Sequence, residues 1–315
     1  MFKNITIDEK NKDILIKAIS KDRINHCYIF VGPTGTNKRE SAIEFIKAIL
    51  CTEEEKPCNK CISCVKINNN NHPDFIDILP TENSIKISQL REMQRKMNIK
   101  PYESNYKVFL INNSETMGIP AQNSLLKSLE EPNSRVVMIL ISKSSQSLLP
   151  TILSRGQILH FNPLGRIKFE EEVSNYNLNT KGIEDLYNLS QGCIAKAKYI
   201  LDNPEEILKF DKFRDYIYNI IKRDYNKVFQ FSKWIKDNSI PNEDVLNNML
   251  IIFKNILYAR IQVDINEGKE VSDYLTYESI HDIIQDIIDL QSSLKYNINF
   301  QLQIERLLLK IQEEK

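Results

Sequence analysis

The sequence has no excess of charge of either sign. Lysine plus arginine and aspartate plus glutamate each total 42 in 315 residues. A formal net charge of zero excludes the bulk electrostatic grip by which strongly basic proteins hold nucleic acid, and leaves open only a local basic face. No apolar run at the amino terminus resembles a signal peptide. The most apolar stretch, 249–263, is interrupted by Lys254, Asn255 and Arg260, and is too short and too polar to cross a bilayer. We therefore expect a soluble, cytoplasmic chain with no membrane partner. Internal repeats and long segments of disordered character are also missing. At this length about two or three domains and a large buried core are expected.

Another absence is chemical. Gly32-Pro33-Thr34-Gly35-Thr36-Asn37-Lys38-Arg39 follows an apolar run, 27–31, and precedes a helical pattern at about 38–50. Strand, loop, helix is the setting in which G-x-x-x-x-G-K-[ST] cradles phosphates. Gly32, Gly35 and Lys38 stand in place. Asn37 replaces the last glycine, and Arg39 replaces the hydroxyl that would bind magnesium. The strand at 108–111 runs into Asn112 and Asn113, where one acid should hold the metal and another should prepare the attacking water. An amide is a poor magnesium ligand beside a carboxylate and cannot act as a general base. A missing base alone is worth roughly 10²- to 10⁴-fold. Asp77 lies in another strand and offers no obvious substitute; Glu115 is the nearest acid. The loop should have no hydrolysis of its own. Binding of ATP or ADP stays open, because Asn37 can take the left-handed conformation and Lys38 with the amides of a helix start can hold phosphates.

The first half alternates continuous apolar strands (near 27, 75, 108, 136 and 158) with helices. That pattern indicates an α/β fold with a parallel sheet covered on both faces. After Pro163 only helical patterns follow. We expect a P-loop module at 1–163, a small helical domain at 164–203 and an all-helical domain at 204–315. Lys86, Arg91, Arg95, Lys96 and Lys100 cluster around one helix; they form either a modest phosphate-binding face or an ordinary solvated surface.

Cys51, Cys58, Cys61 and Cys64 are spaced C-x6-C-x2-C-x2-C. Four thiolates this close can surround one tetrahedral zinc ion, and four protein ligands leave no position for a reactive water. We therefore expect structural zinc, with Lys56, Lys60 and Lys66 offsetting its negative charge. Free thiols are the bland alternative, and an iron–sulfur cluster fits the spacing poorly. His72 is a reserve ligand at best. Cys27 and Cys193 are expected to be small buried residues.

Taken in order, several blocks resemble those of the bacterial DNA polymerase III clamp-loader family. They are 26–33 (HCYIFVGP), the four cysteines, 123–132 (NSLLKSLEEP), 149–155 (LPTILSR) and 297–308 (NINFQLQIERLL). Within the family the resemblance is to the delta-prime branch rather than the gamma/tau motors. It implies an AAA+ module with a zinc insertion, a helical lid and a helical collar that assembles a ring. The family's serine–arginine–cysteine motif falls on Ser154-Arg155-Gly156, with Gly156 departing from the cysteine. The resemblance implies that Arg155 is an arginine finger, offered in trans to the ATP site of a gamma/tau neighbour. Such fingers are worth about 10³ to 10⁵ in rate. The implied partners are the gamma/tau ATPases, a delta subunit and, through the assembled complex, a sliding clamp and primed DNA. The chain would then be a component of the polymerase holoenzyme without ATPase activity of its own. Two rivals remain: an active gamma/tau-type ATPase, and a zinc-bearing nucleic-acid-binding module that grips DNA alone.

Overall fold

The computed structural model describes residues 1–2, 5–176, 178–261, 271, 273–294, 296 and 298–313. Val263 of the apolar stretch and Asn297 of the last family block lie outside them. The chain divides into two compact units, Met1–Leu178 with Gln191–Lys196, and Asn179–Ser190 with Ala197–Lys315.

The first unit is a parallel α/β layer structure. Its elements are α1 (Glu9–Ser20), β1 (Cys27–Val31), α2 (Lys38–Leu50), α3 (Ile62–Asn68), β2 (Phe75–Ile78), α4 (Ile87–Met97), β3 (Lys107–Ile111), α5 (Ile119–Glu130), β4 (Val136–Ser142), α6 (Pro150–Leu153), β5 (Gln157–His160) and α7 (Arg166–Val173). The strands run in the order β2-β3-β4-β1-β5, and every pairing is parallel. The apolar runs of β1, β3 and β4 are continuous because both faces are covered. Alternate side chains leave by opposite faces. Tyr28 and Phe30 join Phe45 of α2 on one side, while Cys27, Ile29 and Val31 join Leu125 of α5 and Ile152 of α6 on the other. Fully burying a side chain such as Ile29 or Phe30 is worth about 1.5–3 kcal/mol, so the central strands anchor the loops at both ends of the sheet.

Buried polar groups fix one of those loops. Asp74 accepts the amides of Tyr102, Glu103 and Ser104 at 2.7, 2.8 and 2.9 Å. Lys107 donates to the carbonyl of Ile99 at 3.0 Å, and its ammonium lies 5.2 Å from the Tyr102 ring centre. Burial pushes its pKa down.

The second unit is helical. It holds α8 (Thr180–Ser190), most of α9 (Ile194–Asp202), α10 (Glu205–Ile221), α11 (Asn226–Asp237), α12 (Asn242–Ile261), α13 (Tyr277–Ser293) and α14 (Phe300–Glu313). Phe213, Phe231 and Trp234 form an aromatic cluster, with the Phe213 and Phe231 rings edge-to-face at 4.8 Å. A parallel sheet carrying a cysteine insertion, followed by helices, is the fold class expected from the sequence. Among the described residues no helix is long and apolar enough to cross a membrane.

Candidate functional site

Strand β1 delivers the phosphate-type loop and α2 carries the chain away. The backbone at Gly35 has φ +86°, and Asn37 sits in the left-handed region at φ 57°, ψ 26°. Asparagine thus takes the left-handed backbone that the glycine of the motif would supply. Its side-chain amide donates to the Thr6 carbonyl at 3.1 Å, which stitches the amino-terminal segment to the loop. Gly32 is required by a neighbour: a Cβ there would lie 2.0 Å from the carbonyl oxygen of Phe161. That strand exit is held close by the Phe161 amide, which donates to the Val31 carbonyl at 2.7 Å.

Lys38 is buried, and its ammonium donates to the carbonyls of Gly32 and Pro33, both at 2.5 Å. Burial pushes its pKa down while nearby Glu115 pulls the other way. Phosphate oxygens would have to exchange with those carbonyls. Gly32, Gly35, Asn37 and Lys38 are therefore one loop, as the motif suggested. A cleft of about 740 Å³ adjoins it, bounded by Ile7, Asn37, Phe161, Leu164 and Ile194, a volume common for small-molecule sites.

Arg39, Asp77 and Asn112 form one cluster. The Arg39 guanidinium meets the Asp77 carboxylate through Nη2 at 2.5 Å from Oδ2 and Nη1 at 3.4 Å from Oδ1. The Asn112 side-chain amide donates to Asp77 Oδ1 at 2.5 Å. The Asp77 side chain is only 3% exposed. Strand β2 lies beside β3, with Asp77 opposite Leu110, and this adjacency brings the acid to Asn112. Sequence reasoning set Asp77 aside as belonging to another strand. Its one signal was a lone acid inside the run Phe75-Ile76-Asp77-Ile78, where a buried charge demands a partner. Asp77 is committed to the guanidinium and the amide, so it does not act as a free base. Glu115 accepts the Lys143 amide at 3.3 Å.

Arg155 follows α6 and precedes β5. Its Nη1 donates to the Thr151 carbonyl at 2.9 Å and to Ser154 Oγ at 3.3 Å, and Nη2 donates to Glu130 Oε1 at 2.8 Å. The side chain is 34% exposed. Strand β5 runs parallel to β1, with Tyr28 opposite Gln157 and Val31 opposite His160. Arg155 therefore stands at the amino end of the strands, and the loop after Val31 stands at the carboxyl end. The intervening strand spans roughly 13 Å at about 3.3 Å per residue. Gly156 is also explained by neighbours. A Cβ there would meet Ile29 side-chain carbons at 2.7 Å and Cys27 Sγ at 3.1 Å. Burial pushes the Cys27 thiol up to about 12.

The cysteine cluster is assembled between α2 and α3. The sulfurs of Cys51, Cys58, Cys61 and Cys64 all lie within 4.8 Å of one another, with Cys51 and Cys61 at 3.8 Å. A tetrahedral zinc–thiolate site with bonds of about 2.3 Å has sulfur–sulfur edges of about 3.8 Å. The amides of Lys60 and Cys61 donate to Cys58 Sγ at 3.4 and 3.2 Å, and the Cys64 amide donates to Cys61 Sγ at 3.5 Å. Burial raises the Cys61 thiol, but hydrogen bonds from the amides of Cys64 and Thr52 and from the Cys58 and Cys64 side chains together outweigh it and bring the thiol down to about 6. Burial pushes Cys51 and Cys64 up, a cost that a cation among the sulfurs would offset. The donor set and its spacing fit a metal ion. Lys66 does not serve the cluster's charge: its ammonium binds both Glu103 oxygens at 2.7 Å. His72 is not a member; its Nδ1 accepts the Asp74 amide at 3.1 Å. Cys27 and Cys193 are buried away from the group.

A family model described as DNA polymerase III, delta subunit, matches residues 7–165. The chain is 30% identical to DNA polymerase III subunit delta' of Bacillus subtilis, over 95% of this chain and 94% of that protein. It is 29% identical to DNA polymerase III subunit tau of the same bacterium, over 64% of this chain and 37% of that protein. Among solved structures it is similar in fold to a DNA polymerase III gamma subunit-related protein from Thermotoga maritima. That match has a TM-score of 0.51 at 19% identity, covering 97% of this chain and 98% of the other.

Proposed function

Since the chain belongs to the DNA polymerase III delta-prime family of clamp-loader subunits, we propose that it completes a bacterial clamp loader, turns over no ATP itself and lends Arg155 to a neighbouring ATPase subunit. The observation that carries this is the separation of the two sites. Arg155 is half-buried at the amino end of the sheet, away from its own loop at the carboxyl end. A guanidinium placed there serves chemistry outside its own chain. Its task would be to stabilise charge on the phosphoryl group in transfer.

The loop, by contrast, is built for shape. Arg39 and Asn112 stand where a hydroxyl and a carboxylate would bind magnesium, and both are tied to Asp77. This pairing argues against the rival reading as an active motor. We take the cysteine cluster to hold structural zinc, 164–203 to act as a helical lid and 204–315 as the collar that joins the ring. The partners would be gamma/tau-type ATPases and a delta subunit in the cytoplasm, acting together on a sliding clamp and primed DNA.

The test is reconstitution with gamma/tau-type and delta subunits, clamp and primed DNA. Arg155→Ala should slow single-turnover ATP hydrolysis at the adjoining site by about 10³- to 10⁵-fold, with assembly intact by size-exclusion chromatography. Unchanged hydrolysis at that site would reject the proposal.

A further inference from the structure

Arg155 has an acidic companion whose position calls for an explanation. Glu130 is the last residue of α5, and its carboxylate accepts from Arg155 Nη2 at 2.8 Å. An acid at the carboxyl end of a helix faces the negative end of the macrodipole, an unfavourable place for it unless a cation is supplied. The pair is open to solvent, with side chains 34% and 50% exposed, so it adds little to stability.

The guanidinium is held in two separable ways. Nη1 is fixed to its own helix end by the Thr151 carbonyl and Ser154 Oγ, whereas Nη2, among the described residues, meets Glu130. The first grip can persist while the second is exchanged for another anionic oxygen.

We propose that Glu130 is a positioning residue for Arg155. It aims and neutralises the guanidinium in the unengaged subunit and yields Nη2 to a phosphate oxygen of the nucleotide on the neighbouring subunit. The inference rests on the role proposed for Arg155. It makes Glu130 a competitor of that phosphate for one nitrogen, so the carboxylate's charge sets how readily the arginine engages. No bond is made or broken by Glu130, and no proton moves.

The competition is read in the reconstituted loader, with the other ATPase subunits carrying inactivated phosphate loops so that one composite site reports. Glu130→Gln keeps the acceptor and the shape but removes the charge. It should tighten binding of a slowly hydrolysed ATP analogue at that site by about 1.5- to 5-fold. In the Arg155→Ala background the same substitution should do nothing, because there is no guanidinium to release. Thermal unfolding of each isolated variant checks that both substitutions leave the fold intact. An unchanged affinity in Glu130→Gln, or a gain that persists without Arg155, overturns the inference. Arg155→Ala with normal hydrolysis instead overturns the proposed function, so the two failures are distinguishable.

Discussion

Gly32 and Gly156 are small because of what runs beside them. At Gly32 the obstacle is backbone, the Phe161 carbonyl 2.0 Å from any added Cβ, and backbone cannot rotate away. Gly32→Ala should therefore destabilise the chain by about 3 kcal/mol or more, measured by urea denaturation. At Gly156 the obstacle is the Ile29 side chain, which has some freedom. Gly156→Ala should cost about 1–3 kcal/mol, and Ile29→Val should recover part of it by removing the outer methyl. A Gly156→Ala protein as stable as the native one would contradict this packing account. Asn37 was legible from sequence, because asparagine tolerates positive φ and the motif fixes its place. The reason for Gly156 was not, since Cys27 and Ile29 meet it only through the pairing of β1 with β5.

The cysteine insertion shows the same limit at the level of an element. Spacing alone brought the four sulfurs together. It gave no sign of the amides that point at them, or of Cys61 capping α3 by accepting from the Cys64 amide. A helix of seven residues does not persist by itself in water, so α3 should depend on the cluster. Purified with zinc, the chain should carry about one equivalent of the metal. A chelator strong enough to remove it should raise amide exchange across 58–68 while β1, β3 and β4 keep their protection. Metal-independent exchange through α3, or no zinc by native mass spectrometry, would count against a structural ion. The sheet itself was readable because unbroken apolar strands between helices have few other solutions.

For the molecule as a whole, the isolated chain should show no magnesium-dependent ATP turnover above a blank. Arg39→Thr alone should not create any, since Asn112 and Asn113 still supply no carboxylate. Appreciable turnover by the pure single chain would overturn the account. The loop's residues led from the sequence to the expectation of no hydrolysis, which that turnover measurement tests. They did not foretell that Asp77 would clasp Arg39 and Asn112, because that meeting depends on β2 settling next to β3. The clasp has a consequence for how the chain responds to its surroundings. A tethered guanidinium keeps its charge at any physiological pH, is not diluted when magnesium runs low and is not displaced when it runs high. The folded chain should therefore melt at one temperature whatever the magnesium concentration, a stationary post whose nucleotide-type loop takes its shape from no magnesium ion.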